Sequence, residues 1–487
     1  MDATSIHRDD VLALSKQVEA FYKTGTRIKI YHGNTNSTRS QKFDPQKTID
    51  ISRLSRILEV NVQEGYALVE PNVPMDMLVN ATLQYGLIPP VVMEFPGITA
   101  GGGIQGGAGE SSSFKDGLFH ENCIEYEIIL ANGEIVTTSR KERPDLFWGT
   151  ACSYGTLGLI TLVKLRLIPA STYVKLTYER VGSFEEMVLV IQKAARANVD
   201  FVDGIMFSKK RGVVMTGMRT NNRISHVTKF LRARDEWFYI HANKIIEHHQ
   251  TYEEMIPLKD YLFRYDRGGF WVGMYGFRRG SIPFNRLTRF LFNPFLKTRE
   301  LYDIVQATNT SQQYIVQDIS LPEKNALSFL EFVDTEIGCY PLWICPLKPD
   351  AHTPLSPAHI QTEMVINVGV WGELSSRKRD YASLYELNRK LEDVTEKLGG
   401  RKVLYAHAYY PKNQFWNIYG ERWYVELRDR YQASRTFPDV YEKVFVAERY
   451  RPAVRKGLGR LALRKIFQKP KAVFLRILRG LSALARA

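Results

Sequence analysis

The sequence predicts an α+β fold built as two subdomains, and three observations carry that expectation. The chain has 487 residues, more than one hydrophobic core usually supports, so two cores are expected. Strand-like and helix-like segments alternate through both halves, with a change of pattern near residue 170. Between Gly101 and Gly109 six of nine residues are glycine, a density that suits a loop whose backbone approaches a large anionic ligand. Hydrophobic content of 44% and charge of 24% are those of a globular protein, not of a disordered or membrane-spanning chain.

An opening helix over residues 9–24 leads to the short strand RIKIY and to the turn-prone HGNTNSTR. TIDIS, RILEVNV and YALVEP read as strands, and residues 75–84 as a helix that Gly86, Pro89 and Pro90 end. After the glycine segment, read as a loop, CIEYEIIL and EIVTT flank Asn132-Gly133, a strong hairpin signal. PDLFWGTAC is a short helix with Pro144 in its first turn, and LGLITLVKLRLIPA a long strand. Beyond residue 170 come the strands YVKLTYE, FVDGIMFS, VVMTGM, YPLWICPL and EMVINVGVW, with helices over 184–197, 326–335 and 381–397. A strand, VLYAHAYY, and two helices follow. The expected division is 1–170, 171–400, a return segment 401–449 and a tail 450–487.

Net charge is +14, but residues from Arg451 onward contribute eleven Lys or Arg and no acid, leaving +3 on the rest. A near-neutral body argues against nucleic acid as a partner. In the tail Val473, Phe474, Ile477, Leu478, Leu481, Leu484 and Ala485 fall on one helical side and Arg476, Arg479 and Arg486 on the other. That pattern predicts an amphipathic helix lying on an anionic membrane. The segment FRRGSIPFNRLTRFLFNPFLKTRE interleaves arginines with Phe277, Phe284, Phe290, Phe292 and Phe295, as either a lipid-facing rim or an aromatic core edge. The start of the sequence lacks the pattern of a signal peptide, so a cytosolic compartment is expected, at the face of a membrane if the tail binds one. Four cysteines without ligand spacing, and His248-His249 in a stretch read as polar helix, predict neither a disulfide framework nor a metal site. Oligomeric state is not legible.

Gly101, Gly103 and Gly106 satisfy G-x-G-x-x-G, but no buried strand precedes them and no βαβ unit surrounds them, which excludes a dinucleotide fold of the Rossmann type. No G-x-x-x-x-G-K-[ST] occurs either. The order HGNTNS, then PGITAGGGIQGGAGESSS, then Gly155-Thr156-Leu157-Gly158-Leu159-Ile160-Thr161 resembles the FAD-binding fold of the vanillyl-alcohol oxidase and p-cresol methylhydroxylase superfamily. Within it GITAGGGIQGGAGESSSFKDGLF, GIMFSKKRGVVMTGM, YIVQDISLP, YPLWICPLKP and LYAHAYYPKNQFW are similar to the 24-dehydrocholesterol reductase (Diminuto/seladin) family. The likeness runs over nearly the whole body. Phe114-Lys115 stands where that family commonly has His-Lys, and the membrane-spanning helix at the start of family members has no counterpart in this sequence.

The resemblance implies an FAD-binding domain, an α+β substrate cap, and reduction of an isolated side-chain double bond in a sterol-like lipid. NADPH would be the electron donor and FAD non-covalent, since the early turn lacks the glycine-glycine-histidine of covalently flavinylated relatives. By carry-over the cofactor contacts are Gly33, Asn34, Thr35, Asn36, Ser37, Pro96, Gly97, Thr99, Ala100, Gly101, Gly102, Gly103, Gly106, Gly107, Glu110, Ser111, Ser112, Gly117, Gly158 and Ile160. An unactivated alkene needs an acid, and the candidates are Tyr340, His407 and Tyr409, the last two sharing a face with Tyr405 if VLYAHAYY is a strand. The alternative is an FAD-dependent alcohol or sugar oxidase or dehydrogenase of the same superfamily, with the hydride moving the other way.

Overall fold

A computed structural model describes residues 2–33, 44–223, 226–308, 314–373 and 381–446. The opening helix is longer than its periodicity suggests, Ala3–Thr24, because Asp2 caps it by accepting from the Ser5 amide and Gly25 ends it at φ +65°. It buries His7, Val11, Leu14 and Val18, one side of four turns. Under it lies an antiparallel five-stranded sheet in the order Ile57–Asn61, Tyr66–Val69, Leu159–Arg166, Cys123–Ile129, Ile135–Ser139. The hairpin turns at Gly133 with φ +90°, and a Cβ there would lie 2.9 Å from the Ser15 carbonyl oxygen, so both conformation and space demand glycine.

The second sheet has eight strands, ordered Thr251–Pro257, Tyr173–Val181, Arg211–Thr220, Phe201–Ser208, Leu342–Leu347, Val365–Glu373, Tyr314–Pro322, Arg401–Lys402, every neighbouring pair antiparallel. Its alternation is strict. Leu342, Ile344, Ile366, Val368 and Val370 pack beneath the helices Phe184–Ala195, Ala326–Phe332 and Tyr381–Lys397, while Trp343, Cys345, Val365 and Trp371 join the core shared with the first sheet. A third core ties the opening helix to the return segment through Val11, Leu14, Phe415, Tyr424 and Val440.

Three expectations are corrected. The glycine segment is a helix, Ala100–Gly106, capped by the Thr99 hydroxyl on the Gly102 amide and closed by Gly107 in the left-handed region. Glycine disfavours helix by about 1 kcal/mol per residue, yet here it lets the turn sit where side chains cannot: a Cβ on Gly101 would meet Pro71 at 2.7 Å and one on Gly103 would meet Met93 at 2.5 Å. VLYAHAYY is not a strand either; only Arg401–Lys402 pairs with the sheet. Lys402, fully buried, donates to the carbonyl of His407 and to Glu392, which also accepts from the Tyr409 amide, and these bonds fold the segment into turns. The helix Phe238–His248 stops at the first of the paired histidines, and Thr251–Pro257 is an edge strand.

Candidate functional site

A cavity of about 690 Å³ runs between the glycine wall of the first sheet's lobe and the bare face of the second sheet. Of the residues expected to touch cofactor, Gly97, Thr99, Gly101, Gly102, Gly106, Gly107, Gly158 and Ile160 line it. The wall supplies room more than donors. The amides of Ala100, Gly101, Gly102 and Gly103 already donate to Val73, Pro71 and Thr99, so the expected bare N–H cradle at the start of this segment is absent. Gly106 faces open space, with nothing within 4 Å of a Cβ built on it. A bare backbone surface along a large cavity fits a long, flat group such as FAD.

The remaining expected contacts stand elsewhere. Gly33, at φ +86°, ends a described stretch next to His32, which does line the cavity, and Asn34, Thr35, Asn36 and Ser37 lie outside the described residues. Ala100 and Gly103 are buried behind the wall. The Pro96 carbonyl accepts from Arg299 and the Asp76 amide, and a Cβ on Gly117, at φ +74°, would strike the Glu121 carboxylate. Glu110, Ser111 and Ser112 bond one another: the Ser111 hydroxyl donates to Glu110 across 2.6 Å, and the Ser112 amide across 3.0 Å. Burial pushes the Glu110 pKa up. The Ser111 carbonyl accepts from the Val202 amide at 2.7 Å, and its hydroxyl meets Arg264, itself paired with the buried Asp203 at 2.9 Å. This network clamps the glycine wall to the second sheet.

The three expected acids are not on the cavity. Tyr340 donates to Asp334 at 2.6 Å on the helix-covered face of the second sheet. Tyr409 is buried edge-on to Tyr385, 5.4 Å between centroids, and His407 presents its carbonyl to Lys402 and Gln317. The cavity holds a different pair. Tyr405 donates to Oδ2 of Asp318 across 2.6 Å, both line the cavity, and Oδ1 of Asp318 has no hydrogen-bond partner among the described residues. Burial pushes Asp318 up to about 7, and burial together with the Asp318 charge raises Tyr405 well above the ordinary phenol value. Around them stand Phe270, Tyr302, Trp343 and Trp371. The alternation of YIVQDISLP was the available signal: Ile315, Ile319 and Leu321 pack under the helices, but Asp318 falls on the other face.

His120, Glu121 and Asp350 also converge, with ligand atoms within 4.8 Å. Internal bonds account for them: His120 Nε2 lies 2.9 Å from Asp350, and Glu121 accepts from the Leu118 amide. Phe114 packs into the helix-covered core of the second sheet, away from the cavity lining.

The family described as FAD binding domain matches residues 7–139. Delta(24)-sterol reductase of Homo sapiens is 30% identical over 465 residues, covering 92% of this chain and 88% of that protein. That of Pisum sativum is 28% identical over 468 residues, covering 87% and 80%. Cytokinin dehydrogenase 6 of Oryza sativa subsp. japonica matches only 186 residues, 35% of each chain, at 32% identity. A glycine-walled cavity facing an aromatic cap, and identity sustained across both lobes, make this chain a member of the Delta(24)-sterol reductase family of FAD-binding proteins.

Proposed function

We propose that the protein reduces an isolated double bond in the side chain of a sterol-like lipid, with NADPH as electron donor and non-covalent FAD between them. Gly97, Thr99, Gly102, Gly106, Gly158 and Ile160 would hold FAD, which would supply the hydride. Such an alkene has no carbonyl to polarise, so a proton must be delivered to the second carbon inside a dry cavity. Asp318 and Tyr405 are assigned that proton. With Asp318 protonated the same contact reverses, the carboxyl donating to the phenol oxygen and releasing the phenol hydrogen for substrate. Hydride and proton together saturate the bond, and solvent returns the proton to Asp318. Phe270, Trp343 and Trp371 exclude water and offer apolar surface to the lipid.

The 2.6 Å contact between Tyr405 and Asp318 on the cavity wall carries the reading. Its test is product analysis after incubation of the purified protein with FAD, NADPH and a panel of side-chain-unsaturated sterols, with saturated product expected. If a sterol alkene fails to reoxidise NADPH-reduced protein anaerobically, while an alcohol bleaches the oxidised flavin, the oxidase alternative replaces it. Residues 451–487, outside the described residues, are assigned to the cytosolic face of an anionic membrane, that of the endoplasmic reticulum included. Their deletion should weaken binding to anionic vesicles. No described helix is long and apolar enough to cross a membrane.

A further inference from the structure

The helix Arg286–Phe292 buries none of its seven residues. Leu287 and Leu291, one turn apart and therefore on one face, are 51% and 36% exposed. At the end of the same helix Phe292, with Phe295 just beyond, lines the main cavity, as do Gly276, Arg279 and Gly280, which are exposed. The cavity therefore reaches the surface near the end of this helix. Against the same helix lies a second cleft of about 420 Å³, lined by Arg234, Lys244, Arg286, Arg289 and Glu236.

That cleft has four cations and one acid. Glu236 sits 2.7 Å from Lys244 and 3.7 Å from Arg289, while Arg234 and Arg286 have no acidic partner among the described residues. Burial pulls the Arg289 pKa below its ordinary value, Arg286 adding a little to it against the opposing effect of Glu236 and Tyr239. A helix with leucines exposed on one side and cations on the other has the surface chemistry of an element that lies on an anionic bilayer. A soluble acidic partner would use the cations and leave the leucines in water.

We propose that the Arg286–Phe292 face seats on an anionic bilayer, with Leu287 and Leu291 among the acyl chains, the cationic cleft on phosphodiester headgroups and the cavity mouth opening to lipid. A sterol then passes from bilayer to cavity without crossing water; that consequence rests on the proposed function, whereas the seating does not. This contact is separate from the C-terminal tail.

Three full-length variants test it. All four cysteines are buried, so Leu287→Cys can be labelled selectively with a polarity-sensitive nitrobenzoxadiazole probe, and Leu12→Cys, at a 46% exposed site on the opening helix, serves as the reference. Vesicles of phosphatidylcholine with phosphatidylserine should shift the emission at 287 to the blue and raise it, leaving 12 unchanged. Emission at 287 that does not move, or that moves equally at both sites, overturns the proposal. Arg234→Gln with Arg286→Gln should lower vesicle affinity by about fivefold per arginine, an effect lost on pure phosphatidylcholine; equal affinity to the parent overturns the headgroup assignment. Sterol reduction in detergent is the independent readout. If it persists while the probe is silent, only the seating fails; if it is absent while the probe responds, only the proposed function fails.

Discussion

Lys402 Nζ and Glu392 Oε1 meet at 2.7 Å with both side chains fully buried, and this pair decides where Tyr405 stands. Lys402 also holds the His407 carbonyl and Glu392 the Tyr409 amide, so the chain between them folds back, with Tyr405 brought to Asp318. Removing one partner leaves a buried charge uncompensated. Lys402→Met should cost about 3 kcal/mol, at the lower end for buried pairs because Arg389 still serves Glu392 at 2.8 Å. Lys402→Met with Glu392→Leu should recover part of that loss in denaturant melts, and a double variant no more stable than the single would contradict the account.

Asp318→Asn and Tyr405→Phe should each reduce sterol turnover by about 100-fold or more, the size of a general-acid contribution, while the rate at which NADPH bleaches bound flavin stays the same. Stopped-flow separation of the two half-reactions checks this. Equal loss in both would place the pair in folding and not in proton delivery.

With Asp318 near 7, turnover should fall as pH rises through that value, because the carboxyl loses the proton it must give. Stability follows the same sign. The folded protein holds a proton that the unfolded chain, with an ordinary carboxyl near 3.8, has already released, so folding weakens between about pH 4 and 7 as pH rises. Asp318→Asn should flatten both profiles.

His7 gives a second, separable window. Burial alone would lower it, but hydrogen bonds to Glu127 and Glu70 outweigh that and bring it to about 9 from 6.5. The stabilisation is complete below about 6.5 and disappears as pH rises through 9. Thermal melts of His7→Gln should lose the decline in Tm over that interval, with sterol turnover unaffected.

Gly106→Ala and Gly101→Ala should part company. At Gly106 the new methyl meets no protein atom within 4 Å, so the apoprotein gains up to about 1 kcal/mol from helix propensity while FAD affinity falls. At Gly101 it would strike Pro71 at 2.7 Å, and overpacking there costs about 1–3 kcal/mol whether or not flavin is present. Flavin fluorescence titrations and melts of flavin-free protein distinguish the two.

Local signals sufficed for most of the frame. Asn132-Gly133, Pro144 and the apolar run in YPLWICPL each act within a few residues, and each element formed where these signals placed it. The glycine segment misled because its helix depends on Pro71 and Met93, which approach from outside the segment. VLYAHAYY misled for a related reason: its alternation is real, but a buried lysine at its start and a glutamate on the helix Tyr381–Lys397 take the backbone groups a strand would have used. A strand would have set Tyr405 on one face with His407 and Tyr409, whereas the turns bring Tyr405 alone of the three to the cavity. Asp318 was within reach of periodicity alone, since an acid in the middle of a buried strand, on the face away from Ile315, Ile319 and Leu321, needs a reason to be there.

The Ser111, Arg264 and Asp203 clamp has a mechanical consequence. It crosses from the glycine wall to the middle of the second sheet through Tyr265 and Trp343, which both donate to Asp203, at 2.7 and 3.1 Å. Two lobes riveted at that depth do not swing apart like jaws. Exchange of a bulky lipid must instead proceed by breathing at the periphery, where the Gly273–Arg279 and Arg286–Phe292 helices form a thin lip, so stiffening that lip should slow product escape before it alters the chemistry.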